Sequence, residues 1–308
     1  MEMLRHSIRL HGPAAKKGRG SSLVLSQVLP FLVQGTQQSL RLRIEGRSRA
    51  KGSLPAALRK ASDFEFVGFG SKSGVLEFEA PQLSQVLPKE DQPRLFPLDL
   101  DMNRSALYLL EESLEDALNL NLDSDRLDEG LIQTFEKDLA KLFHEVEAIE
   151  MANGKALKLN EDSLKQFHEF KRETPPKQWV KIAGKLEVIR HTDRAFAIQL
   201  DDGVAIRGVA EGFEAEDLAG LFGKKTLIEG HAVFRPSGNL LRIEAQKIEL
   251  AQGDTQVWSQ IPRPLFASMD LRALQQHQGP KSGFNALIGK WPGEEADEEI
   301  EAQLETIS

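Results

Sequence analysis

Between residues 178 and 250, apolar side chains alternate with polar ones in five short runs, with one short helical stretch between the third and fourth. Alternation at a period of two puts every second side chain on one face, so each run predicts a half-buried strand. The first, Trp179 to Ile189, turns Val180, Ile182, Leu186 and Val188 to one face, and Gly184 lets so long a strand bend. Phe196, Ile198 and Leu200 form the inward row of the second, and Asp201–Gly203 turns the chain into Val204–Val209. Glu214–Phe222 predicts a short helix with Leu218, Leu221 and Phe222 inward, stopped by Gly223. Thr226–Phe234 and Leu240–Leu250 complete the set. In the last of these the apolar parity changes between Ala245 and Ile248, which predicts a one-residue bulge.

The preceding residues mix both periods. Residues 1–22, rich in Lys, Arg and Gly, predict a basic flexible arm. Leu23–Val33 predicts a helix kept short by Pro30. Ser39–Glu45 reads as a strand, with Leu40, Leu42 and Ile44 on one face and Arg41 and Arg43 on the other. A short helix near Pro55–Ala61 and a hairpin of Phe64–Val67 with Val75–Glu79 follow. From Ser105 the spacing becomes helical: Leu107, Leu110, Leu114 and Leu118, then Leu131, Phe135, Leu139, Leu142 and Phe143, either side of an acidic loop at Asn119–Gly130. A second hairpin, Val146–Met151 with Ala156–Leu159, leads to a helix capped by Asn160. Thr174–Pro175–Pro176 breaks the chain. The fold class predicted is α+β, with an α+β domain at 23–174, a five-stranded β-barrel at 175–252, and an extended, partly helical linker and acidic tail at 253–308.

Charge changes this picture more than composition does. The net charge of −8 conceals +10 over residues 1–60 and −13 over residues 61–175. Arg41, Arg43, Arg47 and Arg49 therefore have two readings: a phosphate-contacting surface, or a face that pairs with the acidic block behind it. The chain has no cysteine, which excludes disulfides and thiolate metal sites. No run approaches the ~18 apolar residues of a membrane span, and the first twenty residues lack the apolar core of a secretory signal. A cytoplasmic location with no membrane association is expected.

Candidate chemistry is sparse. Gly68–Gly74 lacks the spacing of a phosphate-binding loop and leads into a strand, so it reads as a hairpin turn. Asp99 and Asp101 serve either as turn and helix caps or as a carboxylate pair for a metal. His144–Glu145 and His168–Glu169 have no third ligand at recognisable spacing. No catalytic residue, metal ligand or cofactor is assigned. A metal-dependent enzyme using Asp99, Asp101 and His144 is the remaining alternative.

The order of elements in 178–250, together with Gly223–Lys–Lys–Thr–Leu–Ile–Glu–Gly230, resembles oligonucleotide/oligosaccharide-binding (OB) domains. That resemblance implies a ligand at strands two and three and at the loops joining strands one to two and four to five. Those loops are Arg190–Arg194 and Phe234–Asn239, so Arg190, His191, Arg194, Arg207, Phe234, Arg235 and Arg242 are the implied RNA or DNA contacts, with Phe234 and His191 as stacking groups. A protein-docking role for the barrel is the competing reading, as the segment carries no net charge.

In the tail, Ile300, Leu304 and Ile307 fall at i, i+4 and i+7, predicting a helix with one apolar stripe. With Trp291 as an anchor, this suits docking in another protein's groove, or a return onto its own chain. Gly289–Glu295 with Asp297–Ile300 resembles the C-terminal segments of antitoxin proteins paired with PIN-domain ribonuclease toxins. That resemblance implies a tail that wraps such a toxin and blocks its metal-dependent site, although the chain is far longer than ordinary antitoxins. A non-enzymatic bacterial binding protein, or a stand-alone nucleic-acid-binding protein, is the function expected.

Overall fold

The structure is a computed structural model that describes residues 3–13, 15, 20–87, 100–151, 156–190, 194–210, 212–213 and 218–265. Its first strand, β1 (Met3–His11), lies in what the sequence predicts as a flexible basic arm. His6, Ile8 and Leu10 face inward while Arg5, Ser7 and Arg9 alternate with them, a period-two pattern hidden by the charge. β1 is the middle strand of an antiparallel sheet ordered β2-β3-β1-β4-β5. The others are β2 (Glu65–Phe69), β3 (Val75–Pro81), β4 (Ala148–Met151) and β5 (Leu157–Asn160), making the two predicted hairpins.

Helix α1 (Ser22–Glu45) overturns two expectations at once, the short helix ending near Val33 and the strand at Ser39–Glu45. Pro30 does not stop it, because Pro30 is exposed, where the carbonyl it deprives of a partner can meet water. Ser39 to Glu45 are all buried, so apolar residues occupy more than one face and helical periodicity is lost. Leu42 joins the main core with Phe31, Leu110 and Phe135, whereas Leu40 and Ile44, one turn apart, join a second cluster with Leu58, Leu83 and Leu109. Gly46, in the left-handed conformation at φ 74°, ends the helix by returning its N–H to the Leu42 carbonyl.

Short helices α2 (Ala56–Ala61) and α3 (Leu83–Val86) flank the sheet's hairpin. Helices α4 (Ala106–Leu118) and α5 (Glu129–Leu142) are those the leucine spacing predicts, and α6 (Glu161–Glu173) is the helix predicted after the cap at Asn160. An Asn160–Ser163 capping box starts α6. No helix among the described residues is long and apolar enough to cross a membrane.

The five predicted strands close into a barrel: β6 (Gln178–Ile189), β7 (Ala195–Gln199), β8 (Ala205–Val209), β9 (Lys225–Phe234) and β10 (Leu240–Leu250). Around the ring the order is β10-β8-β7-β6-β9, with β9 pairing back onto β10. Every pair is antiparallel except β8 with β10. The predicted bulge falls between Ala245 and Lys247, and a second lies between Leu186 and Val188. Closure needs glycine where strands crowd: a Cβ on Gly230 would sit 2.2 Å from the Glu244 carbonyl oxygen. Leu218 enters the barrel core, but Phe222, expected inward, is 58% exposed; Gly223 after it adopts φ 72° and bonds the Leu186 carbonyl. Residues 214–217 lie outside the described residues. Residues Met1–Ala267, sheet and barrel together, form one compact unit.

Candidate nucleic-acid interface

Most of the arginines singled out in the sequence make bonds within the chain. Arg41 donates to Glu45 one turn on at 2.7 Å, and Arg47 lies 3.8 Å from the same carboxylate. Arg43 is buried against Glu112 at 3.1 Å. Burial lowers its guanidinium to about 10, with Glu112 opposing that fall. Arg242 lies between Asp128 at 3.3 Å and Glu244 at 2.9 Å. Burial alone would raise the Asp128 carboxyl, but Arg242 and the hydroxyl and amide of Ser48 outweigh it and hold it below the ordinary carboxylate range. Arg43 and Arg242 thus pair with the acidic block, whereas Arg41 and Arg47 pair with Glu45 inside the basic block itself.

The two loops implied by the OB resemblance meet the α/β half of the chain. Arg190 donates to the Ile44 carbonyl at the end of α1. In the loop after β9, the Ser237 amide donates to the Leu122 carbonyl at 3.0 Å. Asp123 accepts from the Ser237 hydroxyl at 2.7 Å and from the Asn239 amide at 2.8 Å, with Arg235 at 3.5 Å. Those bonds, the one from Asn239 foremost, keep the Asp123 carboxyl low. Arg190, Arg207, Arg235 and Arg242 line one cavity of about 370 Å³ between the end of α1 and the barrel. Phe234, expected as a stacking group, is 2% exposed inside the barrel core, because strand parity turns it inward with Ala232. His191 lies outside the described residues, as do Trp291, Ile300, Leu304 and Ile307.

A different surface gathers cationic side chains, of which Arg49, Lys51 and Arg194 are exposed while Arg47 is mostly buried beside Glu45. Arg47, Arg49 and Lys51 on the loop after α1, and Lys177, Arg194 and His231 on the barrel side, line a cleft of about 910 Å³ in which Glu244 is the acidic residue. Arg49 bonds the neutral groups of Gln133 (3.0 Å) and Thr134 (2.8 Å), which position it without a carboxylate partner among the described residues. Lys177 lies 2.7 Å from Glu244, whose carboxyl burial would raise but Arg242 and Lys177 hold low. Arg194 is exposed at φ 58°, where a non-glycine residue is uncommon. Beside the cleft, the Trp179 indole is 52% exposed and stands edge-on to His231, ring centroids 5.2 Å apart.

Lys177, Trp179 and His231 were not among the implied contacts, whereas Lys51 belongs to the basic loop read as a phosphate-contacting surface. The signal for two of them was present: parity that turns Val180 and Ile182 inward turns Trp179 outward, and His231 lies opposite it on the ladder. Asp101 caps a turn, accepting from the Asn103 amide at 2.9 Å, and Asp99 lies outside the described residues. Among the described residues, no group of three or more His, Asp or Glu could hold a metal ion. No known family model matches the chain, and a comparison with curated proteins returns no match.

Proposed function

We propose that this chain is a binding protein, without catalytic activity of its own, that holds single-stranded nucleic acid in the cleft beside β9 and β10. The observation that carries the reading is the convergence of the exposed Arg49, Lys51 and Arg194, with the paired Lys177 and His231 beside them, on one open cleft that has Glu244 as its acidic residue. Such a lining favours a polyanion through counterion release. Trp179 and His231 at its edge add a surface on which unstacked bases can lie, which duplex cannot exploit. The closed five-stranded mixed barrel is compatible with an OB-like fold, which supports the same ligand class. The mouth that fold would offer is occupied by the end of α1, so the reading moves the polymer to the neighbouring cleft.

Fluorescence anisotropy with a labelled ~15-nucleotide RNA or DNA strand at low and moderate salt tests it. Arg194→Ala and Lys51→Ala are each expected to weaken binding of all sequences and to reduce the salt slope by about 1. Trp179→Ala is expected to cost about 1–3 kcal/mol on single strands and little on duplex. No binding of either strand at low salt overturns the reading.

The tail carries a separate part of the proposal. Trp291 and the Ile300, Leu304 and Ile307 stripe fit helix-in-groove docking on a partner protein, a PIN-domain ribonuclease in the reading that its sequence resemblance implies. Co-purification of such a ribonuclease with the full chain, but not with a chain truncated before Gly283, is the expected result.

A further inference from the structure

We propose that Gln246 reads one base of the strand held in the cleft, and that this base is an adenine stacked against the Trp179 and His231 rings. Such a preference rests on the cleft reading above and adds to it the base that the protein favours.

Trp179 on β6, His231 on β9 and Glu244 on β10 stand opposite one another in a single row across three strands. Strand parity keeps that row on the outer face of the barrel, while Ala232, Ile243 and Ala245 turn into its core. Just beyond the row the ladder breaks. Ala245 pairs with Gly230 and Lys247 with Glu229, so Gln246 is the extra residue of the bulge and has no residue opposite it. A bulge re-aims the side chain it carries and frees it from the ladder. Gln246 is exposed and lines the cleft, with its Nε2 3.5 Å from the His231 Nδ1.

The charged groups around it are already matched. Glu244 holds Lys177 and Arg242, Glu229 holds Lys181, and Lys247 holds Glu249. Among the described residues the Gln246 side chain makes only that one long hydrogen bond, so its amide stays open to a ligand. A neutral amide adds nothing to the attraction for phosphate. What it offers is one donor and one acceptor side by side.

Ring geometry narrows the kind of base. Trp179 and His231 meet at 87°, edge to face, so the ring that offers its edge keeps its own faces clear of the other. A base stacked there lies over β9, between Trp179 and Gln246 on strands two spacings apart, about 10 Å. A two-ring purine reaches further across that gap than a pyrimidine and stacks over more area. Of the two purines, adenine sets a donor (N6) beside an acceptor (N7) on the edge that a glutamine amide bonds twice, whereas guanine sets two acceptors there.

Fluorescence anisotropy of the full chain with labelled ~15-nucleotide dA, dC and dT strands, and with a dA strand built from 7-deazaadenine, tests the proposal. The dA strand is expected to bind about tenfold more tightly than dC or dT, within the range of a bidentate base contact. 7-Deazaadenine keeps the two rings and the amino group but lacks the N7 acceptor, and should lose most of that advantage. Gln246→Leu is expected to bring the ratio of dA to dT affinity to about one, with no change in salt slope because no charge is removed. The modified strand probes the unaltered protein, so its result stands whether or not the variant folds. Equal binding of dA, dC and dT overturns the proposal and leaves the cleft reading in place. A dA preference that survives both the modified strand and Gln246→Leu overturns it too, because stacking alone would then select the base. No binding of any strand at low salt overturns the cleft reading itself, and this proposal with it.

Discussion

Asp128 joins three parts of the chain through one side chain. It accepts from the Leu131 amide as the N-cap of α5, from the Ser48 amide beyond α1, and from Arg242 on the barrel. Asp128→Ala should therefore cost about 3–5 kcal/mol in urea denaturation, because it leaves Arg242 buried beside one carboxylate instead of two. His6 gives a prediction about pH. It is buried on β1, 2.8 Å from the Ser105 hydroxyl, and burial lowers its imidazole from 6.5 to about 4. Between those values the unfolded chain takes up a proton that the folded chain refuses. Stability from this residue is therefore complete above about 6.5 and lost as pH falls toward 4, on the order of 3 kcal/mol in all. Denaturation curves at several pH values should show that slope, flattened in His6→Gln.

At the scale of elements, the sequence was most legible where one face of an element meets water. The amphipathic helices α4 and α5 and the five barrel strands stand as their periodicity indicates, down to the bulge after Ala245, and α6 starts at the predicted cap. It was least legible in α1. Leu40, Leu42 and Ile44 alternate with Arg41 and Arg43 because the helix is enclosed on several sides, its apolar residues entering two clusters and its arginines facing Glu45 and Glu112. The i, i+4 spacing of Arg41 and Glu45 was the helical signal within that strand-like pattern. The barrel's own dependence on close approach gives a prediction: Gly230→Ala forces a methyl group onto the Glu244 carbonyl and should destabilise the fold by about 3 kcal/mol or more. Chemical denaturation measures it, with far-ultraviolet circular dichroism reporting whether the strands still form.

For the molecule as a whole, sequence showed that the N-terminal sixty residues are basic and the next stretch acidic, but not how those charges are spent. Contacts such as Arg43 with Glu112 and Arg242 with Asp128 join residues 69 and 114 positions apart, and no local pattern announces a pairing of that range. Among the described residues, Arg49, Lys51 and Arg194 pair with no carboxylate, and they reach one cleft from two distant segments. The candidate site was thus visible as residue types and invisible as a place.

The bond from Arg190 to the Ile44 carbonyl makes the barrel and the long helix a latch. Loss of that donor should therefore loosen the seat of the helix end against the barrel without touching the core of either. Amide hydrogen exchange in the last turn of α1 should quicken in Arg190→Ala while exchange in the barrel strands stays slow.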